Sequence, residues 1–229
     1  MQYAWLIWSL SFLVIWFVVY ILLGRDSRRE MLVVSLWTSL AGLTEPLFVP
    51  QYWSPPSLFD LARTTGFDIE SFIFAFAIGG LAAAIYELIF ATNHKTIKEL
   101  ERGSPKHKYH LWVILSAPIM LALLILFTNL NPIYSAAIAM MSGGILTWFC
   151  RPDLKKKMMV GGILFLGFYF VYFLILLWLY PGYVDAVWNL PALSNILVFN
   201  IPIEELMFAF AFGFLWSSIY EHATWQRIK

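Results

Sequence analysis

Residues 203–221 read IEELMFAFAFGFLWSSIYE, and residues 69–87 read IESFIFAFAIGGLAAAIYE. Aligned at an offset of 134 residues, the two stretches agree at 11 of 19 positions. Shared Phe and Ala residues are common in apolar segments, but apolar composition does not explain the match of Glu70 with Glu204. A repeat of this length indicates that the chain contains two copies of one structural unit.

The composition indicates a protein embedded in a membrane. Of the 229 residues, 61% are hydrophobic and 13% are charged, whereas soluble domains usually have about 25% charged residues. The net charge of +1 argues against a nucleic-acid partner, and a single cysteine, Cys150, excludes an internal disulfide. The first apolar run has no Lys or Arg before it and no small-residue cleavage signal, so we expect a retained helix.

Seven apolar runs approach the roughly 20 residues that a membrane-spanning helix needs. The fourth is short and contains Pro118, so five or six spans are the alternative. Asn131 and Pro132 suit the cap and first turn of the fifth helix. The sequence therefore predicts an all-α integral membrane protein with about seven transmembrane helices, at residues 3–23, 31–48, 69–91, 111–127, 132–149, 158–180 and 201–220.

The basic residues predict the orientation of these helices, because cytoplasmic loops collect Lys and Arg. With the N-terminus outside and the C-terminus in the cytoplasm, 14 of the 15 basic residues fall on the inner side of a cell membrane and Arg63 alone falls outside. The 14 are Arg25, Arg28, Arg29, Lys95, Lys98, Arg102, Lys106, Lys108, Arg151, Lys155, Lys156, Lys157, Arg227 and Lys229.

The repeat extends to the helices before the quoted stretches. Residues 25–31 (RDSRREM) resemble residues 151–158 (RPDLKKKM), and residues 50–52 (PQY) resemble residues 181–183 (PGY). Three helices reverse the direction of the chain, so a second copy in the same orientation needs one extra crossing, which makes this a parallel repeat. We expect a first three-helix unit at 1–92, a cytoplasmic loop and linker helix at 93–131, and a second unit at 132–229.

Carboxylates at the predicted outer boundary are the candidate functional residues, because acids are costly near a bilayer. The set comprises Glu45, Asp60, Asp68, Glu70, Asp185, Glu204 and Glu205. The alternative is that each acid caps a helix N-terminus. Neighbouring helical residues point about 100° apart, so Glu204 and Glu205 cannot both face one site.

The sequence lacks the motifs of several other functional classes. The sequence has no G-x-G-x-x-G motif for a dinucleotide, no Asp-rich motif for magnesium, and no lysine in the seventh helix for a retinal Schiff base. His94, His107, His110 and His222 lack metal-ligand spacing, and we expect them to be solvated. We therefore expect no cofactor and no metal. A proton-coupled transporter that uses the acids as a relay is the competing class of function.

Residues 202–208 (PIEELMF) resemble the P-x-E-E-x-x-F signature of the lycopene cyclases of the heterodimeric bacterial, archaeal and fungal type. Residues 45–56 (EPLFVPQYWSPP) also resemble that family's second-helix region, and the two fused three-helix units resemble its fused form. The first copy departs from the signature, with Asp68 in place of the proline and Ser71 in place of the second acid.

The resemblance implies an isomerase-type enzyme, an intramolecular lyase of carotenoid biosynthesis that closes linear end groups into ionone rings without net redox change. A neutral carboxylic acid would protonate the terminal double bond and a base would remove the final proton. The implied partners are a lipid-soluble substrate of lycopene type, the membrane and other carotenoid-pathway enzymes. A non-catalytic carotenoid-binding subunit is the further alternative.

Glu204, in the intact signature, is the first choice for a catalytic residue, followed by Glu205 and Glu70, with Asp68 and Glu45 as further candidates. The repeat predicts that Glu70 and Glu204 approach a shared site and that either Glu→Gln change lowers activity at least about a hundredfold. Glu87 and Glu221, at the inner ends, should matter far less. The expected substrate-binding residues are Phe72, Phe74, Phe208 and Trp53, and Trp53 and Trp188 are alternatively plain interfacial anchors.

Overall fold

The computed structural model describes residues 1–92 and 94–228, without the side chains of Leu100 and Lys106. Two of the basic residues counted above, Lys106 and Lys229, therefore lie outside the described side chains. The α-helices are α1 Ala4–Leu22, α2 Arg25–Ser39, α3 Glu45–Phe48, α4 Leu61–Thr65, α5 Ile69–Phe90, α6 Glu99–Arg102, α7 His110–Phe127, α8 Pro132–Cys150, α9 Lys155–Leu179, α10 Tyr183–Val187 and α11 Ile203–Thr224. The strands are β1 His94–Thr96, β2 Leu197–Val198, β3 Ile201–Pro202 and β4 Gln226–Ile228.

Seven helical spans within the described residues are long and apolar enough to cross a membrane, which confirms the predicted count and the all-α class. Five are the single helices α1, α5, α7, α8 and α11. The second span, Arg25–Phe48, joins α2 and α3 through a 3₁₀ turn at Leu40–Thr44, and the sixth, Pro152–Leu179, adds a 3₁₀ turn to α9. The chain is thus built as a multi-pass membrane protein.

Two of the membrane-spanning helices, α5 and α8, begin at a side-chain cap. The Asn131 side chain accepts a hydrogen bond from the Ile133 backbone N–H at 3.2 Å, and Pro132 is the first residue of α8, as the sequence predicts. Asp68 caps α5 by accepting from the Ser71 backbone N–H at 2.5 Å. The second helix begins at Arg25, six residues before the predicted start, because its polar first turns are partly buried in the protein.

The helices pack in two similar triplets. Helix α5 contacts α1 and α2, helix α11 contacts α8 and α9, and α5 and α11 contact each other. Close approach depends on small residues: a Cβ at Gly79 would lie 2.4 Å from Thr38, and one at Gly161 would lie 2.5 Å from Ser217. Helix α7 lies against α8, and none of its residues, all of them described, is buried.

The two ends of this bundle differ in their connections. At one end, here called the loop end, α5 and α11 begin, and the loops before them meet through a β-bridge between Trp53 and Trp188. At the opposite end, here called the ladder end, α5 and α11 finish and β1 pairs with β4 in antiparallel register, with Lys95 opposite Arg227. Both helices end in a left-handed residue, Ala91 and Trp225.

Candidate active site

A cavity of about 710 Å³ runs through the bundle between α1, α2, α5, α7, α8 and α11. Its lining is mainly aliphatic and aromatic, and it extends from Glu45 and Glu205 at the loop end to Tyr220 and Thr224 at the ladder end. Trp37 and Leu115 line it although they are 73% and 40% exposed on the outer surface. The cavity therefore opens sideways between α2 and α7, towards the face that lipid would cover.

Glu205 is buried at the loop end of this cavity and is surrounded by hydrogen-bond donors. Its Oε2 accepts from the Tyr169 hydroxyl at 2.7 Å, and its Oε1 accepts from the Trp188 indole N–H at 3.0 Å and from the Tyr52 hydroxyl. Burial, and then the charge of Glu205, raise the pKa of Tyr52 well above its ordinary value, so this hydroxyl stays protonated and donates. The three donors hold the Glu205 carboxyl in one orientation.

Glu45 is the second carboxyl in the cavity lining. Its Oε2 accepts a hydrogen bond from the Ser71 hydroxyl at 2.8 Å, while its buried Oε1 has no hydrogen-bond partner among the described residues. Ser71 occupies in the first copy the position that Glu205 occupies in the second, at the offset of 134. The first copy has Ser71 in place of the second acid of the signature, and Glu45 supplies a carboxyl next to this serine.

The other predicted acids do not line the cavity. Glu204 accepts hydrogen bonds from the Tyr134 hydroxyl at 2.5 Å and from the Ser194 backbone N–H at 2.8 Å. Glu70 accepts from the Leu58 backbone N–H at 2.7 Å, and Asp68 is the helix cap described above. Glu70 and Glu204 are thus equivalent, but not at a shared site. Each accepts a hydrogen bond from the loop that precedes its own helix.

Aromatic rings enclose the carboxyl groups of the cavity. Three of the expected substrate-binding residues, Trp53, Phe74 and Phe208, line the cavity, whereas Phe72 packs against Gly42. Trp5, Trp8, Tyr52, Tyr169 and Trp188 also line the cavity and were not among the predicted site residues. The interfacial-anchor alternative is wrong for Trp188, which is buried and bonded to Glu205.

A second group of buried acids lies at the ladder end, on the three helices α2, α5 and α11, around a lysine of α9. The ammonium of Lys157 contacts Glu30 at 3.0 Å and Glu87 and Glu221 at 2.5 Å each. All four side chains are at most 2% exposed. Glu87 and Glu221, expected to matter little, are therefore part of a buried ion-pair network that joins α2, α5, α9 and α11.

The expectation that the histidines are solvated is wrong. The side chain of His94 is 4% exposed and lies 2.9 Å from Glu221 and 3.1 Å from Glu30. Burial acts to lower its pKa, but the bonds to the two carboxylates outweigh burial and raise the pKa to about 10. His222 is buried beside Thr147, and His107 and His110 converge on Cys150. Spacing along the chain gave no signal of these contacts, since their partners are distant in sequence.

Comparison with known proteins gives one family. Residues 131–223 match the family model described as Lycopene cyclase. No curated protein matches the chain, and no solved structure does. The matched segment contains α8, α9 and α11 together with the PIEELMF motif, Glu204 and Glu205. Residues 131–223 are thus similar to the lycopene cyclase family, in agreement with the resemblance read from the motif.

Proposed function

We propose that the protein is a carotenoid cyclase of the intramolecular lyase or isomerase class, which converts linear end groups of a lycopene-type carotenoid into ionone rings. The observation that carries this proposal is the placement of two buried carboxyls, Glu45 and Glu205, at one end of a long apolar cavity rich in aromatic rings. The family match of residues 131–223 supports a substrate of this class.

The hydrogen bonds around the two carboxyls suit opposite roles. Glu45 has one hydroxyl partner and one buried oxygen without a partner among the described residues, an arrangement suited to a neutral carboxylic acid that points its proton at the substrate. Glu205 accepts hydrogen bonds from three donors and donates none to the described residues, an arrangement that stabilises an ionised carboxylate. Glu45 is the proposed proton donor and Glu205 the proposed base.

The reaction then proceeds by one proton gained and one proton lost. Glu45 protonates the terminal double bond, the neighbouring double bond attacks the resulting carbocation, and a new carbon–carbon bond closes the ring. Glu205 removes a proton from the ring to form its double bond, and return of a proton from Glu205 to Glu45 restores the starting state. No electron acceptor is required. The Trp5 ring meets Trp53 edge to face at 4.6 Å and lies tilted against Phe74 at 5.1 Å, and these aromatic rings would stabilise the cation.

The opening between α2 and α7 suits a substrate that is already dissolved in lipid. A long polyene would enter sideways, past Trp37 and Leu115, and lie along the cavity with one end group at the loop end. An ion relay would instead require polar groups through the depth of the membrane. Here the buried carboxylates lie at the two ends with an apolar cavity between them, so the transport alternative is not favoured.

We further propose that the chain is a duplication of one three-helix unit, with α7 as the linker helix, in a cell membrane with the ladder end facing the cytoplasm. The division of basic residues supports this orientation. A reporter fused after the last residue should then be cytoplasmic and one inserted in the loop at 193–196 should be external. Finding both reporters on the same side would contradict the orientation.

The proposed activity is tested by expressing the full chain in cells that accumulate lycopene and analysing the pigments by chromatography and mass spectrometry. A cyclase yields products of unchanged mass that carry one or two rings. Unchanged lycopene that copurifies with the protein would indicate a carotenoid-binding subunit instead. Unchanged lycopene that does not copurify, with the protein abundant in membranes, would reject both a cyclase and a binding protein for this substrate.

A further inference from the structure

Outside the cavity, three side chains that prefer soft or borderline metal ions meet at the ladder end. His107 lies in a 3₁₀ turn before α7, His110 is the first residue of α7, and Cys150 is the last residue of α8. One ligand atom from each residue lies within 4.8 Å of the other two. None of the three lines the cavity, so the proposed cyclisation makes no use of them.

The distances within this cluster fit a tetrahedral zinc ion. Zinc binds a cysteine sulfur at about 2.3 Å and an imidazole nitrogen at about 2.0–2.1 Å, so tetrahedral angles place the two ligand atoms about 3.6 Å apart. The Cys150 Sγ lies 3.6 Å from the His107 Nδ1 and 3.6 Å from the His110 Nδ1. Both imidazoles therefore present the same nitrogen to one sulfur at the spacing that a shared zinc ion needs.

The surroundings hold the two imidazole rings in place. The Trp225 ring stacks on His110 at 3.7 Å with an interplanar angle of 17°, and it meets the edge of His107 at 5.0 Å. The neighbouring Arg151 is paired with Asp153 through two hydrogen bonds of 2.7 and 2.9 Å, so its charge is compensated and does not repel a cation at Cys150. Supporting contacts of this kind fix ligand orientation in metal sites.

We propose that His107, His110 and the Cys150 thiolate bind one Zn²⁺, with water as the fourth ligand on the side where the two histidines are half-buried. The ion fastens the start of α7 to the end of α8. Helix α7 otherwise lies on the surface without a buried residue, so a metal clip at its first turn compensates for its sparse packing. The proposal is independent of the cyclase activity, because the ligands lie outside the cavity.

The ladder end has a second cluster that could be mistaken for a metal site. Glu30, Glu87, His94 and Glu221 also place ligand atoms close together. The Lys157 ammonium already lies among the three carboxylates, so a cation is present there as a side chain. A variant of this second cluster therefore serves as the control, because its cation is the Lys157 side chain and not a metal ion.

The test uses the full chain, purified in detergent, stripped with chelator and titrated with Co²⁺ as a spectroscopic substitute for Zn²⁺. Cys150 is the single cysteine in the sequence, so a thiolate-to-cobalt charge-transfer band can come from no other residue. We expect one Co²⁺ per chain, this band together with tetrahedral d–d bands, and loss of all of them when Zn²⁺ is added.

The variants Cys150→Ser, His107→Ala and His110→Ala should each lose the bound metal while eluting as the wild type does in size-exclusion chromatography. His94→Gln should keep the metal and the band. Failure of folded wild-type protein to bind Co²⁺, binding without the sulfur band, or retention of the band in both the His107 and His110 variants would each overturn the proposal.

Discussion

Glu45 and Glu205, at the loop end, accept hydrogen bonds from hydroxyl and indole groups alone, whereas the carboxylates of the ladder end surround the ammonium of Lys157. Both groups are buried to a similar degree. The loop end faces a cavity large enough for part of a polyene, but the ladder-end network fills its own space with side chains from four helices.

The two ends show that a buried glutamate can serve two purposes. An ammonium partner fixes a carboxylate in its charged form, and removing the partner leaves an uncompensated buried charge. Neutral donors orient a carboxyl without fixing its proton, which leaves the proton available for transfer. We therefore expect substitutions at the ladder end to lower stability and substitutions at the loop end to lower activity.

The largest effect is expected for Lys157→Met. This change leaves three buried carboxylates without their cation and should destabilise the fold by about 3–5 kcal/mol. Protein abundance in membranes and thermal unfolding in detergent would measure the loss. Lys156→Met, at an exposed neighbouring position, is the matched control and should behave as the wild type. Equal stability of the two variants would show that the ladder-end network does not hold the helices together.

Glu205→Gln should abolish most of the proposed cyclase activity without unfolding the protein. The glutamine oxygen can accept from Tyr52 and Trp188, and its amide group can donate to the Tyr169 hydroxyl, so the local hydrogen bonds survive. Loss of the base should lower ring formation at least about a hundredfold. Pigment analysis, normalised to protein abundance, measures the effect. Ring formation within a fewfold of wild type would remove Glu205 from the mechanism.

Glu45→Gln should lower ring formation by about a hundredfold, because the amide keeps the bond from Ser71 but has no acidic proton to give. Ser71→Ala removes that bond alone and leaves the acid in place, so we expect a loss nearer fivefold, in line with one hydrogen bond worth about 1 kcal/mol. If Ser71→Ala were as inactive as Glu45→Gln, orientation of the carboxyl and not its proton would be the essential feature.

The sequence predicted the seven spans because continuous apolar runs determine what can cross a bilayer. It missed the true start of α2 because Glu30 is polar, and hydropathy cannot show that a polar residue will meet a distant partner such as Lys157. It likewise missed Tyr52, Tyr169 and Trp188, the donors to Glu205, which lie between 17 and 153 residues from it along the chain.

The ranking of the two adjacent glutamates shows how far a repeat alone can guide the choice of a site. The match with Glu70 favoured Glu204, yet helical geometry allows only one of Glu204 and Glu205 to face the cavity. The structure places Glu205 there. The serine at position 71 was the informative difference between the two copies. The first copy has no acid at the position equivalent to Glu205, and Glu45 instead contacts Ser71 there.

Glu204→Gln tests whether Glu204 itself is needed for ring formation. Because one oxygen, Oε1, accepts from both Tyr134 and Ser194, an amide oxygen in its place keeps both bonds. We now expect less than about a tenfold loss of ring formation, the scale of one perturbed hydrogen bond. Glu204→Leu, which accepts no hydrogen bond, should release the loop and lower both stability and activity. A hundredfold loss in Glu204→Gln would instead restore the role that the repeat suggested.

The smallest effect concerns pH and the histidine of the ladder end. The pKa of His94 is raised from 6.5 to about 10, since its bonds to Glu221 and Glu30 outweigh its burial. A raised pKa in the folded state means that protonation stabilises the fold. This stabilisation is complete below about pH 6.5 and is lost as the pH rises towards about 10. The Tm of the detergent-solubilised protein should therefore fall across this interval, and His94→Asn should show a flatter dependence from a lower starting Tm.

Lys95→Gln, at an exposed position in the same strand, should keep the wild-type slope. An unchanged slope in His94→Asn would mean that His94 is not charged in the folded protein, and that Lys157 alone balances the carboxylates of the ladder end.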